Sequence, residues 1–276
     1  MSKVAIIIMV IAAIGMIFGV SKQKAGTPWG KPLAVLCAIV ALICAISHIA
    51  GTRTPSMTTV IAREMAYQKV SAQKLAMYLA EKFPGSKALV LVQPGGGGAP
   101  ERENALVSGL REGFGDKVTI VAELAPEIPE AAKQAFIAEM PPQEPGAETP
   151  DSADVIPPLE YWYSAAVFDK AVKDYEGKID LVVTTIGLPQ DPGHMDFWGL
   201  DPRPKLAIVS GSIYRLKKAI QSQAIAAAVT YSPAAVYEDT SPPADVDKAF
   251  AKRFLLVTPE NIGEIAAKHT DLFMNN

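Results

Sequence analysis

The chain has 276 residues, 49% of them hydrophobic, with a formal net charge of -3. Lysines and arginines are scattered, so no basic surface for nucleic acid is expected. The two cysteines, Cys37 and Cys44, both lie in one apolar run, which excludes a disulfide framework or a thiolate metal site from the rest of the chain. The three histidines are far apart in sequence and lack zinc-site spacing.

The first elements in chain order are two uncharged apolar runs, Val4 to Val20 and Leu33 to Ala50. Each is long enough as a helix to cross a slightly thinned bilayer core of about 30 Å. The first run is expected to be retained, because no small-residue cleavage site stands out after it. Between the runs lies a polar turn with Lys22, Lys24, Trp29, Lys31 and Pro32, so residues 1–51 predict a transmembrane helical hairpin. Gly15 and Gly19 on the first helix, and Ala38, Ala41 and Ala45 on the second, are small residues at helical spacing that let backbones approach closely. They fit packing within the hairpin, self-association, or docking on other membrane subunits. The positive charges lean toward a cytoplasmic turn, and hence toward a bacterial inner-membrane protein with an extracytoplasmic, periplasmic domain.

Residues 52–84 predict a juxtamembrane helix, apolar at Val60, Met65, Val70, Leu75, Leu79 and Phe83 and stopped by Pro84-Gly85. Residues 85–276 then carry six short apolar runs: Ala88 to Val92, Val118 to Ala122, Ile179 to Thr185, Leu206 to Val209, Ile225 to Thr230, and Phe254 to Val257. Runs that do not alternate fit strands buried on both faces, and the helical patterns between them imply right-handed crossovers. The fold class is therefore α/β, a single doubly wound, mostly parallel, Rossmann-like sheet following the hairpin. Helices are expected over 101–114, 161–175, 212–222 and 259–269, the last with Thr258 as N-cap and Pro259 in its first turn. Residues 125–158, rich in proline and glutamate, read as a solvated insertion.

In such sheets ligands bind beyond the carboxyl ends of the strands. Gly95, Gly96, Gly97 and Gly98 form a strand-to-helix turn that offers backbone N–H groups to an anion, although the turn lacks phosphate-loop spacing. After the third run, Asp191, His194, Asp196, Phe197, Trp198, Asp201 and Arg203 mix carboxylates with aromatic faces. That mixture suits a small polar, sugar-like ligand; the alternatives are a metal, or a surface loop packed on the sheet edge. Ser210-Gly211-Ser212 lacks a nucleophile elbow, so Ser212 is expected as an N-cap. No catalytic residue, metal or cofactor is assigned.

The succession KALVLVQPGGGGAPERENALVSGLREGFGDKVTIVAE, KIDLVVTTIGLP and PKLAIVSGSIYRLKKAIQSQAIAAAVTYSP, across residues 86–232, resembles one lobe of the type 1 periplasmic-binding-protein family. That resemblance implies an α/β lobe related to sugar-binding uptake proteins. The family uses two lobes that close on a ligand, whereas the six runs here suffice for one. The leading expectation is a non-enzymatic binding or scaffold subunit whose partners are the lipid bilayer and other membrane subunits or a second copy. The alternatives are a tethered receptor or sensor for a small polar ligand, and an enzyme using His194 with Asp191 or Asp196.

Overall fold

The computed structural model describes residues 3–51, 56–95, 100–140, 155–237 and 240–274, and for 3–10 and 43–51 the backbone helix alone. The chain divides into two compact units, Met1–Val60 and Ile61–Asn276.

The first unit is a helical hairpin of α1 (Lys3–Lys24) and α2 (Gly30–Gly51). The turn between them closes through Gly26, whose φ of 76° is in the region glycine tolerates. Close approach depends on absent side chains: a Cβ at Gly15 would lie 2.7 Å from Cys37 Sγ, and one at Gly19 would lie 2.8 Å from the Ala34 backbone nitrogen. The α2 positions that these contacts place inward are Gly30, Ala34 and Cys37, while Ala41 is half-buried. Ala38 is exposed, and the Ala45 side chain lies outside the described residues. Outward, Ile11, Ile14, Ile17, Leu36 and Leu42 are all more than half exposed. Among the described residues, no helix is long and apolar enough to cross a membrane. The apolar runs at 4–20 and 33–50 extend into residues 4–10 and 43–50, whose side chains lie outside the described residues.

Helix α3 (Met57–Lys82) starts in the first unit and continues into the second. Ser56 caps it, its hydroxyl accepting from the Thr59 N–H at 3.2 Å. There follow β1 (Lys87–Leu91), α4 (Pro100–Phe114), β2 (Thr119–Leu124), α5 (Glu130–Glu139), α6 (Leu159–Trp162), α7 (Ala165–Lys173) and β3 (Leu181–Thr184). Two 3-10 turns lead to β4 (Lys205–Ile208), and α8 (Lys217–Gln221), β5 (Ile225–Tyr231), α9 (Val246–Ala251), β6 (Phe254–Val257) and α10 (Ile262–Lys268) complete the unit. The strands form one sheet in the order β2-β1-β3-β4-β5-β6. All neighbours are parallel except the β5–β6 pair.

Alternation along the strands sends side chains to two cores. Ala88, Val90, Leu181, Val183 and Val229 pack with Leu75 and Leu79 of α3, Leu106 and Leu110 of α4, and Phe250 of α9. Leu89, Leu91, Val182, Leu206, Ile208 and Val257 pack with Phe168 and Val172 of α7, Ile220 of α8 and Ile262 of α10. Burial on both faces is why these strands read as unbroken apolar runs. Strand β2, at one edge, alternates exposed with half-buried positions instead.

Four local expectations change. The helix expected over 161–175 is split between α6 and α7, because Ser164 is extended and its hydroxyl accepts from the Val167 N–H to start α7. Residues 130–139 are helical inside the stretch read as an insertion, while 141–154 lie outside the described residues. Helix α10 begins at Ile262, not at Pro259, because the Asn261 side chain folds back, accepting from the Thr258 N–H and donating to the Leu256 carbonyl, both at 2.8 Å. Helix α8 begins at Lys217, so Ser212 is no N-cap; its hydroxyl accepts from the Tyr214 N–H at 3.3 Å.

Glu260, freed from that helix start, takes Lys82 Nζ at 2.7 Å and the Tyr78 hydroxyl at 3.0 Å. The hydrogen bond from Lys82 is the largest cause that pulls its pKa down to about 2, and burial with the same carboxylate pushes Tyr78 up to about 12. A carboxyl with a depressed folded pKa contributes stability above its unfolded pKa of about 4.3 and loses it as pH falls toward about 2. Relative to Glu260→Gln, the wild type should lose about 1–2 °C of Tm across that window, read by thermal melts at pH 5 and pH 2.5.

Candidate functional site at the carboxyl edge of the sheet

The strand order reverses between β1 and β3, since β1 connects outward to β2 while β3 leads the other way. The loops leaving these strands must diverge there, the place where open α/β sheets form a ligand crevice. Four polar side chains from three segments meet in it. Arg102 and Glu103, both half-buried, stand in the first turn of α4. Thr185, fully buried, follows β3, and Ser210 follows β4.

Arg102 Nη2 donates to Ser210 Oγ at 2.7 Å. The Glu103 carboxyl Oε1 and Thr185 Oγ1 are 2.5 Å apart, and Thr185 Oγ1 is also 3.0 Å from the Leu91 carbonyl. One hydroxyl proton cannot serve both acceptors. Because the Leu91 carbonyl already accepts from the Thr185 N–H at 3.0 Å, the hydroxyl is free to donate to an ionised Glu103. Burial is the largest influence on Glu103 and raises its pKa, opposed by the hydrogen bonds from Thr185 and the Gln93 backbone and by the charge of Arg102.

The floor of the crevice is tightly built. Thr184 Oγ1 donates to the Gly187 carbonyl at 2.7 Å, and the buried Tyr163 hydroxyl reaches the same carbonyl at 3.4 Å. Desolvation raises the Tyr163 pKa well above its usual value, so it serves only as a neutral donor. Gly187 and Gly211 have φ of 81° and 125°, and a Cβ at Gly211 would lie 2.9 Å from Gly187 Cα. Only glycine lets the loops after β3 and β4 cross this closely. Beside the cluster, over the ends of β1 and β2, a groove of about 810 Å³ is lined by Pro94, Gly95, Glu127, Ile128, Lys133 and Lys170 among others.

Of the residues singled out by sequence, Gly95 lines that groove, while Gly96, Gly97 and Gly98 lie outside the described residues. Asp191 accepts from the Ala165 N–H at 2.8 Å and so anchors the start of α7. His194 is highly exposed, and its Nδ1 is 3.9 Å from Asp191 Oδ2, beyond hydrogen-bond reach. The backbone of Asp196 and Phe197 donates to the Asp169 carboxylate at 2.8 and 3.0 Å. Trp198 packs on Phe197, its indole N–H donates to the Pro192 carbonyl, and Arg203 sits over its ring at 5.8 Å. The loop is thus folded onto α7 and itself, and Asp191, His194 and Asp196 do not converge. Among the described residues, no three His, Cys, Asp or Glu side chains converge as a metal site.

Sequence reasoning reached the loops after β1, β3 and β4 but passed over Arg102, Glu103 and Thr185. The signal available was an adjacent Arg-Glu pair in the first turn of the helix after the glycine run.

No protein-family model matches the sequence, and no curated protein matches it. Solved structures do resemble the chain. They include an ABC transporter solute-binding protein from Bradyrhizobium sp. BTAi1 with bound bis-tris, at 14% identity over 72% of this chain and 52% of that one, TM-score 0.40. An arabinose-binding protein from Geobacillus stearothermophilus is 13% identical over 71% of this chain and 62% of its own, TM-score 0.37. A galactofuranose-binding protein is 11% identical over 74% and 63%, TM-score 0.40. The chain therefore spans between half and two thirds of the length of these neighbours. At these identities the likeness assigns no residue to the site.

Proposed function

We propose that residues 61–276 form a binding module for a small polar ligand, with the N-terminal hairpin as its membrane tether. The observation that carries the first half is the meeting of Arg102, Glu103, Thr185 and Ser210 at the switch point of a parallel sheet. A half-buried carboxyl and guanidinium side by side supply acceptors and donors in a place shielded from water. This pairing suits a ligand with several hydroxyl or amide groups, such as a sugar or polyol, better than an apolar one. The one hydroxyl of the cluster that meets a carboxylate, that of Thr185, is fully buried and out of reach of a substrate, which favours binding over catalysis.

The tether reading is supported by the uncharged runs at 4–20 and 33–50 and by the outward isoleucines and leucines of the hairpin, Ile17 being 72% exposed. Apolar faces of this kind are stable when lipid or neighbouring helices cover them. On the same reading the lysine-bearing turn lies in the cytoplasm and the α/β unit on the extracytoplasmic side of a bacterial inner membrane.

The test is a thermal-shift screen of the detergent-solubilised chain against monosaccharides, polyols, amino acids and nucleotides. A cognate ligand at 100 times its Kd should stabilise the fold by about 2.7 kcal/mol. Arg102→Met should remove that response while leaving the unliganded Tm within about 2 °C, since a half-exposed charge contributes little to the fold. A full screen without a response, or a response unchanged in Arg102→Met, rejects this site. Vesicle flotation of the wild type tests the tether separately.

A further inference from the structure

A second polar cluster lies far from the carboxyl edge in sequence, where the beginning of α3 packs against the start of β6 and the loop after β5. Arg253 is 1% exposed, and its guanidinium lies over the Tyr67 ring with Cζ 3.5 Å from the ring centroid. The Tyr237 ring covers it from another side at 4.9 Å. Arg253 Nη1 donates to Glu64 Oε2 at 2.7 Å. Two donors of this stacked pair stay unmatched: Arg253 Nε and the hydroxyl of Tyr67, a residue with 0% exposure, are buried without a hydrogen-bond partner.

A buried donor left unmatched is costly, and each of these two calls for an acceptor. A bridging water would accept from both but would bring two protons of its own into the same place. A phosphate brings at least two unprotonated oxygens as acceptors, and a guanidinium edge is the group best suited to them. The surroundings supply a route. Tyr237 is 65% exposed, so the cover over Arg253 is a surface side chain and not part of the core. Ile61, Tyr231 and Val236 are also substantially exposed, and Val236 and Ser232 are tied by their N–H groups to the carbonyls of Lys252 and Arg253. Tyrosines with apolar bodies and polar tips beside an arginine suit the boundary between water and lipid headgroups.

We propose that Arg253 Nε and the Tyr67 hydroxyl form a binding site for a phosphate group, with Tyr237 as its movable cover. The phosphate comes from a lipid headgroup or from a free phosphate, and the two sources are separable. In one arm, the full chain in neutral detergent is titrated with inorganic phosphate at constant ionic strength and followed by its thermal midpoint. In the other, the full chain is placed in vesicles of phosphatidylcholine alone or with about one third phosphatidylglycerol, a fraction chosen to give an anionic surface. Amide exchange is then followed over residues 61–68 and 250–254.

A rise in midpoint with phosphate, weakened at least tenfold in apparent Kd by Tyr67→Phe, supports a free phosphate. Slowed exchange in anionic but not neutral vesicles, lost in Tyr67→Phe, supports the headgroup. No response in either arm, or equal responses from wild type and Tyr67→Phe, overturns the proposal. Should Tyr67→Phe fail to fold, Arg253→Lys keeps the charge without the Nε–H and answers the same question. The detergent arm does not depend on the tether, and flotation of the vesicles reports the tether by itself, so the two readings fail separately.

Discussion

Replacing Gly113 by valine will destabilise the α/β unit by about 3 kcal/mol or more, which for a unit of this size lowers Tm by roughly 6–12 °C. Helix α4 crosses α3 on two glycines one turn apart. A Cβ at Gly113 would collide with the Gln73 carbonyl and stand 2.6 Å from Ala76 Cβ. One at Gly109 would collide with the Lys69 carbonyl and stand 3.0 Å from Ala72 Cβ. Backbone carbonyls cannot swing aside as a side chain can, so α4 would have to lift from α3. That lift would also pull Leu106, Leu110 and Phe114 from the core they fill. Propensity alone predicts the opposite sign, because a helical glycine costs about 1 kcal/mol relative to alanine. Gly263 in α10 is the control: nothing lies within 4 Å of its Cβ position, so Gly263→Ala should be neutral or stabilising by up to about 1 kcal/mol. Urea titrations of the variants, with circular dichroism as readout, check both signs. Equal behaviour of Gly113→Val and Gly263→Ala would refute the close crossing.

Glu103→Gln should separate stability from binding. Burial raises the Glu103 pKa, so its ionised form costs more in the folded than in the unfolded chain. For a carboxyl of this kind the sign is reversed relative to Glu260: stability is highest below the unfolded pKa of about 4.3 and falls as pH rises through the higher folded value. The neutral amide keeps an oxygen to accept from Thr185 while removing the buried charge, so the variant should be more stable than the wild type at pH 7. A gain of about 1 kcal/mol is the scale expected where a residue is kept for function at the expense of the fold. The advantage should vanish at pH 4. Ligand affinity should move the other way and fall about a hundredfold, because a charged acceptor facing ligand hydroxyls contributes about 1.5–3 kcal/mol. Calorimetric melts at pH 4 and 7, combined with titration of whichever ligand the screen returns, test both limbs. A variant that is less stable at pH 7, or that binds as tightly as the wild type, would show that Glu103 serves the fold instead.

Much of the architecture is legible from residue order because the physics behind it is local. Strands such as Leu89–Leu91 and Leu181–Val183 are buried on two faces, and no alternation survives there to blur the apolar run. Gly15 and Gly19 announce a close helix pair through spacing, and Pro84-Gly85 announces where α3 must stop. Where an element depends on a competing side chain, order alone misleads: Thr258-Pro259-Glu260 carries every sign of a helix start, yet Asn261 captures the Thr258 N–H and Lys82 takes Glu260. The pair Gly109 and Gly113 has the same spacing as Gly15 and Gly19, but only the packing of α4 on α3 shows that it is used. The candidate site belongs wholly to the tertiary structure. Sequence patterns direct attention to the carboxyl edge of the sheet, because ligands bind where strand order reverses. They cannot show that Glu103 meets Thr185, 82 positions along the chain, or that Arg102 meets Ser210, 108 positions along. The sheet order decides both, by setting β1, β3 and β4 side by side with their ends at one edge.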